Sequence, residues 1–181
     1  MPEAEVSLRL AFWLLATGLS DGPIEIAIDG AQVQVNDIVH FEIVKFLESM
    51  GWSRPANHSL WQCTWSHAKM PHRINIHSSP GKGDVVAPLR TGQMFRAECK
   101  KGPLEKSRSS VEYVRLREAL GQILTVEVVG PNDLFAIAVP HAPRFAELAA
   151  RWRRAPLVRR AGIQILTVSR DGEVHGFEPA V

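Results

Sequence analysis

Gln93-Met94-Phe95-Arg96-Ala97-Glu98-Cys99-Lys100 lies between the turn residues Arg90-Thr91-Gly92 and the breaker Gly102-Pro103. Side chains alternate across a strand, so Phe95, Ala97 and Cys99 share one face, which is apolar and suited to a core. Met94, Arg96, Glu98 and Lys100 share the other. On that face Glu98 and Lys100 stand about 6.7 Å apart, close enough to flank one phosphate group. Residues 84–89 read as the preceding strand. The short turn makes the two strands antiparallel neighbours, so Asp84 at the start of one can meet Glu98 near the end of the other. Gly83 removes a side chain where a ligand or backbone approaches.

Working outward, residues 4–17 predict a helix that ends near Gly18, and 24–28 alternate as a strand. Asp29-Gly30 predicts a hairpin into a strand at 32–35, and a second helix runs from the N-cap Asp37 to Gly51. Residues 53–71, with their prolines and tryptophans, have no clear form. A strand follows at 73–78, then the central pair, then a helix over 111–125. The continuous apolar run 134–139 predicts a strand buried on both faces. A helix at 143–154 leads to a terminal hairpin, 163–168 and 173–177, turned at Asp171-Gly172. This order describes an α/β protein: a mixed β-sheet flanked by α-helices.

A chain of 181 residues with 45% apolar and 22% charged side chains supports one folded domain and excludes a disordered chain. The net charge of +2 is unevenly spread: residues 1–50 carry 2 basic and 8 acidic side chains, residues 51–181 carry 19 and 11. A basic body suits a polyanionic partner such as nucleic acid. Residues 8–19 are apolar, but Glu3 and Glu5 precede them where a secretory leader carries positive charge, and the run is too short to span a bilayer. It reads as a buried helix, with no membrane partner expected. Cys63 and Cys99 form no CxxC pair, which favours a reducing, cytoplasmic setting.

Hydrolysing a phosphodiester needs a nucleophilic water and charge neutralisation at phosphorus, which Mg2+ or Mn2+ supplies when carboxylates hold it. Asp84 and Glu98 are the expected ligands, with the Cys99 backbone carbonyl as a third. Lys100 is expected to orient the water or steady the developing negative charge. The competing reading is a solvated sheet face with a cross-strand ion pair; helices over the sheet would leave few such faces.

Gly83-Asp84 followed by Glu98-Cys99-Lys100 resembles the signature of the PD-(D/E)XK, restriction-endonuclease-like nucleases, with the leading proline displaced to Pro80. The resemblance covers roughly residues 37–140. It implies a restriction-endonuclease-like fold, DNA as partner and substrate, and a divalent cofactor; a homodimer is a compatible assembly. It also sets residues 1–36 apart as an N-terminal helix and hairpin elaboration on a core at 37–181, within one compact domain. Two flanking residues enter with it: Glu42 (with Glu48 as alternative) as an acidic residue beside the metal, and Gln122 on the helix after Glu-x-Lys. Lys101, Lys106, Arg108 and Arg115 are the expected nucleic-acid contacts. The arginines at 151, 153, 154, 159 and 160 can equally serve to solubilise a helix end, and Trp52, Trp61 and Trp65 can stack on bases or fill a core. Repair and phage defence are both compatible roles. The rival class is a catalytically silent DNA-binding or assembly module.

Overall fold

The computed structural model describes residues 1–36, 38–56, 60–79, 81, 83–105 and 110–178. Helix α1 (Glu3–Ala16) comes first, closed by Gly18 with φ of 68°. Strand β1 (Ile24–Ala27) follows, then the one-turn helix α2 (Gly30–Val33), the strands β2 (Gln34–Val35) and β3 (Ile38–Val39), and helix α3 (Ile43–Ser49). Next come β4 (Trp52–Ser53), β5 (Thr64–His67), β6 (Ile74–His77), β7 (Val85–Pro88) and β8 (Met94–Cys99). Helix α4 (Val111–Leu124), β9 (Asp133–Pro140), α5 (Pro143–Arg153), α6 (Pro156–Arg160), β10 (Gln164–Val168) and β11 (Val174–His175) complete the chain.

Nine of these strands form one sheet in the order β11-β10-β9-β8-β7-β1-β6-β5-β4. The pairs β1–β6, β8–β9 and β9–β10 are parallel; β7 is antiparallel to both β1 and β8. The protein is therefore a mixed α/β fold with helices on both faces of the sheet. Strand β9 explains the layering. Its Leu134, Ala136 and Ala138 join the core beneath α1, while Ile137 and Val139 join a second core with Leu116, Ala119 and Ile123 of α4 and Phe145 and Leu148 of α5. A strand sealed on both faces has no use for polar residues, and the run from Leu134 to Val139 contains none.

Helix α1 is apolar nearly all round because it is covered nearly all round. The sheet lies under one side, and Phe12 stacks on Trp52 at a centroid distance of 4.9 Å on another. Leu8, Leu10 and Leu14 are fully buried, and each such side chain contributes roughly 1.5–3 kcal/mol of transfer free energy. Glu5, also buried, accepts from Arg9 at 2.9 Å and from Arg170 at 3.2 Å, so its charge is matched. Among the described residues no helix is long and apolar enough to cross a membrane. Residues 1–36, set apart in the sequence reading as an elaboration, supply β1 to the interior of the sheet and α1 to its main core.

Three local expectations change. Asp29-Gly30 makes no hairpin; the Asp29 side chain accepts from the Ala31 N–H at 3.0 Å and caps α2. Turn and N-cap use the same Asp chemistry, and the long-range pairing of β1 with β6 and β7 decides between them. The second helix starts later than expected, because Ile38 and Val39 pair with β2; Asp37, its expected cap, lies outside the described residues. Within residues 53–71, β5 pairs with β6, and Trp65 is fully buried with its indole N–H donating to the Trp61 carbonyl at 2.9 Å. Trp65 and the buried, Phe12-stacked Trp52 thus fill the core.

Candidate functional site

The site is built where β7 begins and β8 ends. Antiparallel register sets Val85 opposite Ala97, which brings Asp84 level with the end of β8. Three backbone-linked contacts fix Asp84: its N–H donates to the Ala97 carbonyl at 2.8 Å, its carbonyl accepts from the Ala27 N–H at 2.9 Å, and its Oδ2 accepts from the Cys99 N–H at 2.7 Å. Gly83 makes this entry. Its φ is 128°, and a Cβ there would stand 3.1 Å from the Ala97 carbonyl oxygen. The approaching group is thus backbone, one of the two alternatives the sequence left open.

Strand β8 divides its faces as its alternation requires. Phe95, Ala97 and Cys99 are buried in the core under α1. On the other face Lys100 is only 5% exposed, and its Nζ donates to Glu98 Oε1 at 2.6 Å. The same Nζ lies 3.7 Å from Glu3 Oε1, at the first turn of α1. Glu3 Oε2 also accepts from the Lys101 N–H at 3.2 Å, which ties the start of α1 to the exit of β8. Arg96, the remaining cation of this face, pairs with Asp133 at 3.1 Å.

The electrostatics follow from this crowding. Burial, reinforced by the Glu98 carboxylate, pushes Asp84 up to about 7, against the opposing pull of the Cys99 N–H and the Lys100 charge. Burial alone would lower Lys100; its hydrogen bond to Glu98 and the charges of Glu98, Glu3 and Asp84 outweigh that and raise it. Lys100 is therefore a fixed cation at neutral pH. Burial and the neighbouring Asp84 raise the Cys99 thiol far above its usual value, so it takes part as backbone only. A strand residue's N–H and carbonyl point to one edge, so the Cys99 carbonyl faces the Asp84 side.

Asp84, Glu98 and Gln122 line one cavity of about 490 Å³, together with Asp29 and the hydroxyl residues Ser78 and Ser79. Gln122 is carried there by α4, which packs over β8 and β9. Glu42 stands elsewhere, at the N-cap of α3, exposed and paired with Lys45 at 2.5 Å. Helix α3 packs on β4, the far edge of the sheet. Glu48, on the same helix, is exposed as well. The helix carboxylate at the site is Glu3, which in the sequence stands out only as a negative charge ahead of an apolar run. Its signal was available: an acidic first turn on an otherwise buried helix. Arg115 pairs with Glu118 at 2.7 Å on the surface of α4, and Lys101 lies at the exit of β8. Lys106, Arg108 and Pro80 lie outside the described residues. Of the later arginines, Arg153 donates to the Ile165 and His175 carbonyls, joining α5 to the sheet.

The donor set suits a hard divalent cation. Two carboxylates share a cavity, one is forced toward its protonated form by burial and by the other, and a cation between them would relieve both costs. Compared with family models, curated proteins and solved structures, the chain matches none of them.

Proposed function

We propose that the chain is a metal-dependent nuclease of the PD-(D/E)XK kind, on a restriction-endonuclease-like sheet, hydrolysing phosphodiester bonds in DNA. The observation that carries this reading is the convergence of Asp84, Glu98 and Lys100 from two antiparallel strands, with Asp84 held to the Cys99 N–H at 2.7 Å and Lys100 to Glu98 at 2.6 Å.

Asp84, Glu98 and the Cys99 carbonyl would hold Mg2+ or Mn2+, which when bound supplies charge neutralisation at phosphorus and a more acidic water. The chain's own groups do the rest. The Cys99 N–H fixes the orientation of Asp84, leaving its second oxygen available. Lys100, charged and nearly immobile between Glu98 and Glu3, orients the attacking water or steadies negative charge on the phosphate. Gln122 faces the same cavity and suits a polar contact to substrate. Lys101 and Arg115 are candidates for flanking phosphates.

One feature favours the silent module. Lys100 already sits in a chain of ion pairs, as a purely structural lysine would. Incubating the purified protein with supercoiled, linear, single-stranded and branched DNA separates the two readings. Cleavage with magnesium or manganese and none with chelator supports the enzyme. DNA binding with no cleavage under any metal condition hands the case to the module.

A further inference from the structure

The Lys100 ion pairs separate two hollows of opposite character. Glu98 lines the cavity of about 490 Å³ with Asp84 and Asp29, an acidic wall. Glu3, on the other side of Lys100 Nζ, lines a second cavity of about 410 Å³ with His40, Lys101, Pro2 and Ala31. The hollows also adjoin through the chain, since Asp29 lines one and Ala31 the other. His40 and Lys101 are both exposed, and among the described residues neither side chain reaches an anionic partner. The Glu3 carboxylate is turned to Lys100 and to the Lys101 backbone N–H.

Resting on the nuclease reading above, we propose that the hollow lined by His40 and Lys101 is a phosphate subsite. It takes the phosphodiester next to the one presented to Asp84, Glu98 and Lys100. A nucleic-acid strand passing Lys100 must carry its next phosphate to one side or the other. Beyond the metal that would hold the cleaved phosphate, the Asp29 side of the first hollow is acidic. In the second the Lys101 cation has no anionic partner among the described residues and attracts it, and the exposed His40 ring can donate a hydrogen bond to it. Pro2 and Ala31 present apolar surface against which the intervening sugar can pack. The β2–β3 hairpin gains a purpose thereby: it delivers His40 to the rim.

The test uses an oligonucleotide that the wild type cleaves, made with a neutral methylphosphonate on the 5′ or the 3′ side of the cleaved linkage. In the wild type, neutralising one of these two linkages should raise KM about tenfold, the scale of a lost charge-assisted contact. The double variant His40→Ala/Lys101→Ala should show that raised KM on the unmodified strand and no further rise with the methylphosphonate. Lys101→Arg should restore part of the discrimination. Equal discrimination by the double variant and the wild type overturns the subsite, as does a wild type indifferent to both modifications. Inorganic phosphate separates a free anion from a strand. Displacement of the Ala31 and Gly102 amide resonances by phosphate alone, lost in the double variant, marks a subsite that needs no tethered strand. A KM effect without such displacement marks one filled only by the strand. A wild type that cleaves nothing with either metal removes the nuclease reading itself, a distinct outcome.

Discussion

Asp84 is a carboxylate held in its least comfortable setting, buried beside Glu98 and raised from 3.8 to about 7. A group whose folded pKa lies above its unfolded value contributes stability that is full below the unfolded pKa and lost as pH rises through the folded one. For Asp84 in metal-free protein the window runs from about pH 4 to about pH 7. Asp84→Asn mimics the protonated form and can still accept from the Cys99 N–H. We therefore predict that with chelator present the variant is more stable than the wild type at pH 8, by an amount on the order of 3 kcal/mol, and indistinguishable at pH 4. Urea denaturation at the two pH values measures this; an equal loss of stability at both would contradict the assignment. Lys100 makes the opposite case. It is a buried cation whose removal leaves Glu98 and Glu3 facing each other, so Lys100→Ala should cost roughly 3 kcal/mol of stability. Measured well below the melting point of the variant, cleavage should fall at least about a hundredfold, the scale of losing one transition-state charge donor. DNA affinity should change little. Parallel loss of binding and cutting would make Lys100 a docking residue.

At the scale of elements, the geometry depends on how β7 is entered and on which helix reaches β8. Gly83→Ala puts a Cβ 3.1 Å from the Ala97 carbonyl at a φ of 128°, a conformation that costs an L-residue about 1–3 kcal/mol. Its melting temperature should fall, and the Asp84 contacts with it; an unchanged melting curve would show that the turn relaxes freely. The two helices give a paired comparison. Glu3 bridges Lys100 and the Lys101 N–H, whereas Glu42 makes one exposed pair with Lys45. Glu42→Ala should leave stability within about 0.5 kcal/mol of wild type, as exposed pairs do. Glu3→Gln should lower the cleavage rate severalfold by loosening Lys100. Comparable rates for Glu3→Gln and wild type would leave Glu3 as a fastening of α1 alone. The elements most legible in the sequence were those whose burial pattern is a simple repeat: α1, β1, β6, β7, β8, α4, β9, α5 and β10. Those missed or misplaced are short or paired at long range, namely α2, the β2–β3 hairpin, β4, β5 and α6. Each buries too few side chains of its own to impress a period on the sequence.

For the whole molecule, a metal bound at Asp84 and Glu98 couples local electrostatics to global stability. A ligand that binds only the folded state stabilises it by about 2.7 kcal/mol at a hundred times its Kd. Raising magnesium or manganese should therefore raise the melting temperature of the wild type and leave Asp84→Asn unmoved. Calcium, larger and less demanding in geometry, should stabilise the protein and permit DNA binding without cutting. Calorimetry that finds no divalent binding even with DNA present would remove the enzyme reading. The sequence by itself determined that β8 has one apolar face and one face bearing Glu98 and Lys100, that Asp84 lies opposite them, and that β9 is sealed on both sides. Those facts follow from a period of two, from a turn too short to permit anything but antiparallel pairing, and, for β9, from an apolar run with no alternation. Tertiary structure alone decided which distant carboxylate joins them. Glu3 and Glu42 are both glutamates at a helix start, so no local pattern separates them. Helix α1 crosses the centre of the sheet and ends its first turn beside Lys100, while α3 covers the far edge. That placement is set by burying α1's leucines, an energy summed over five strands and invisible at the position of the glutamate itself.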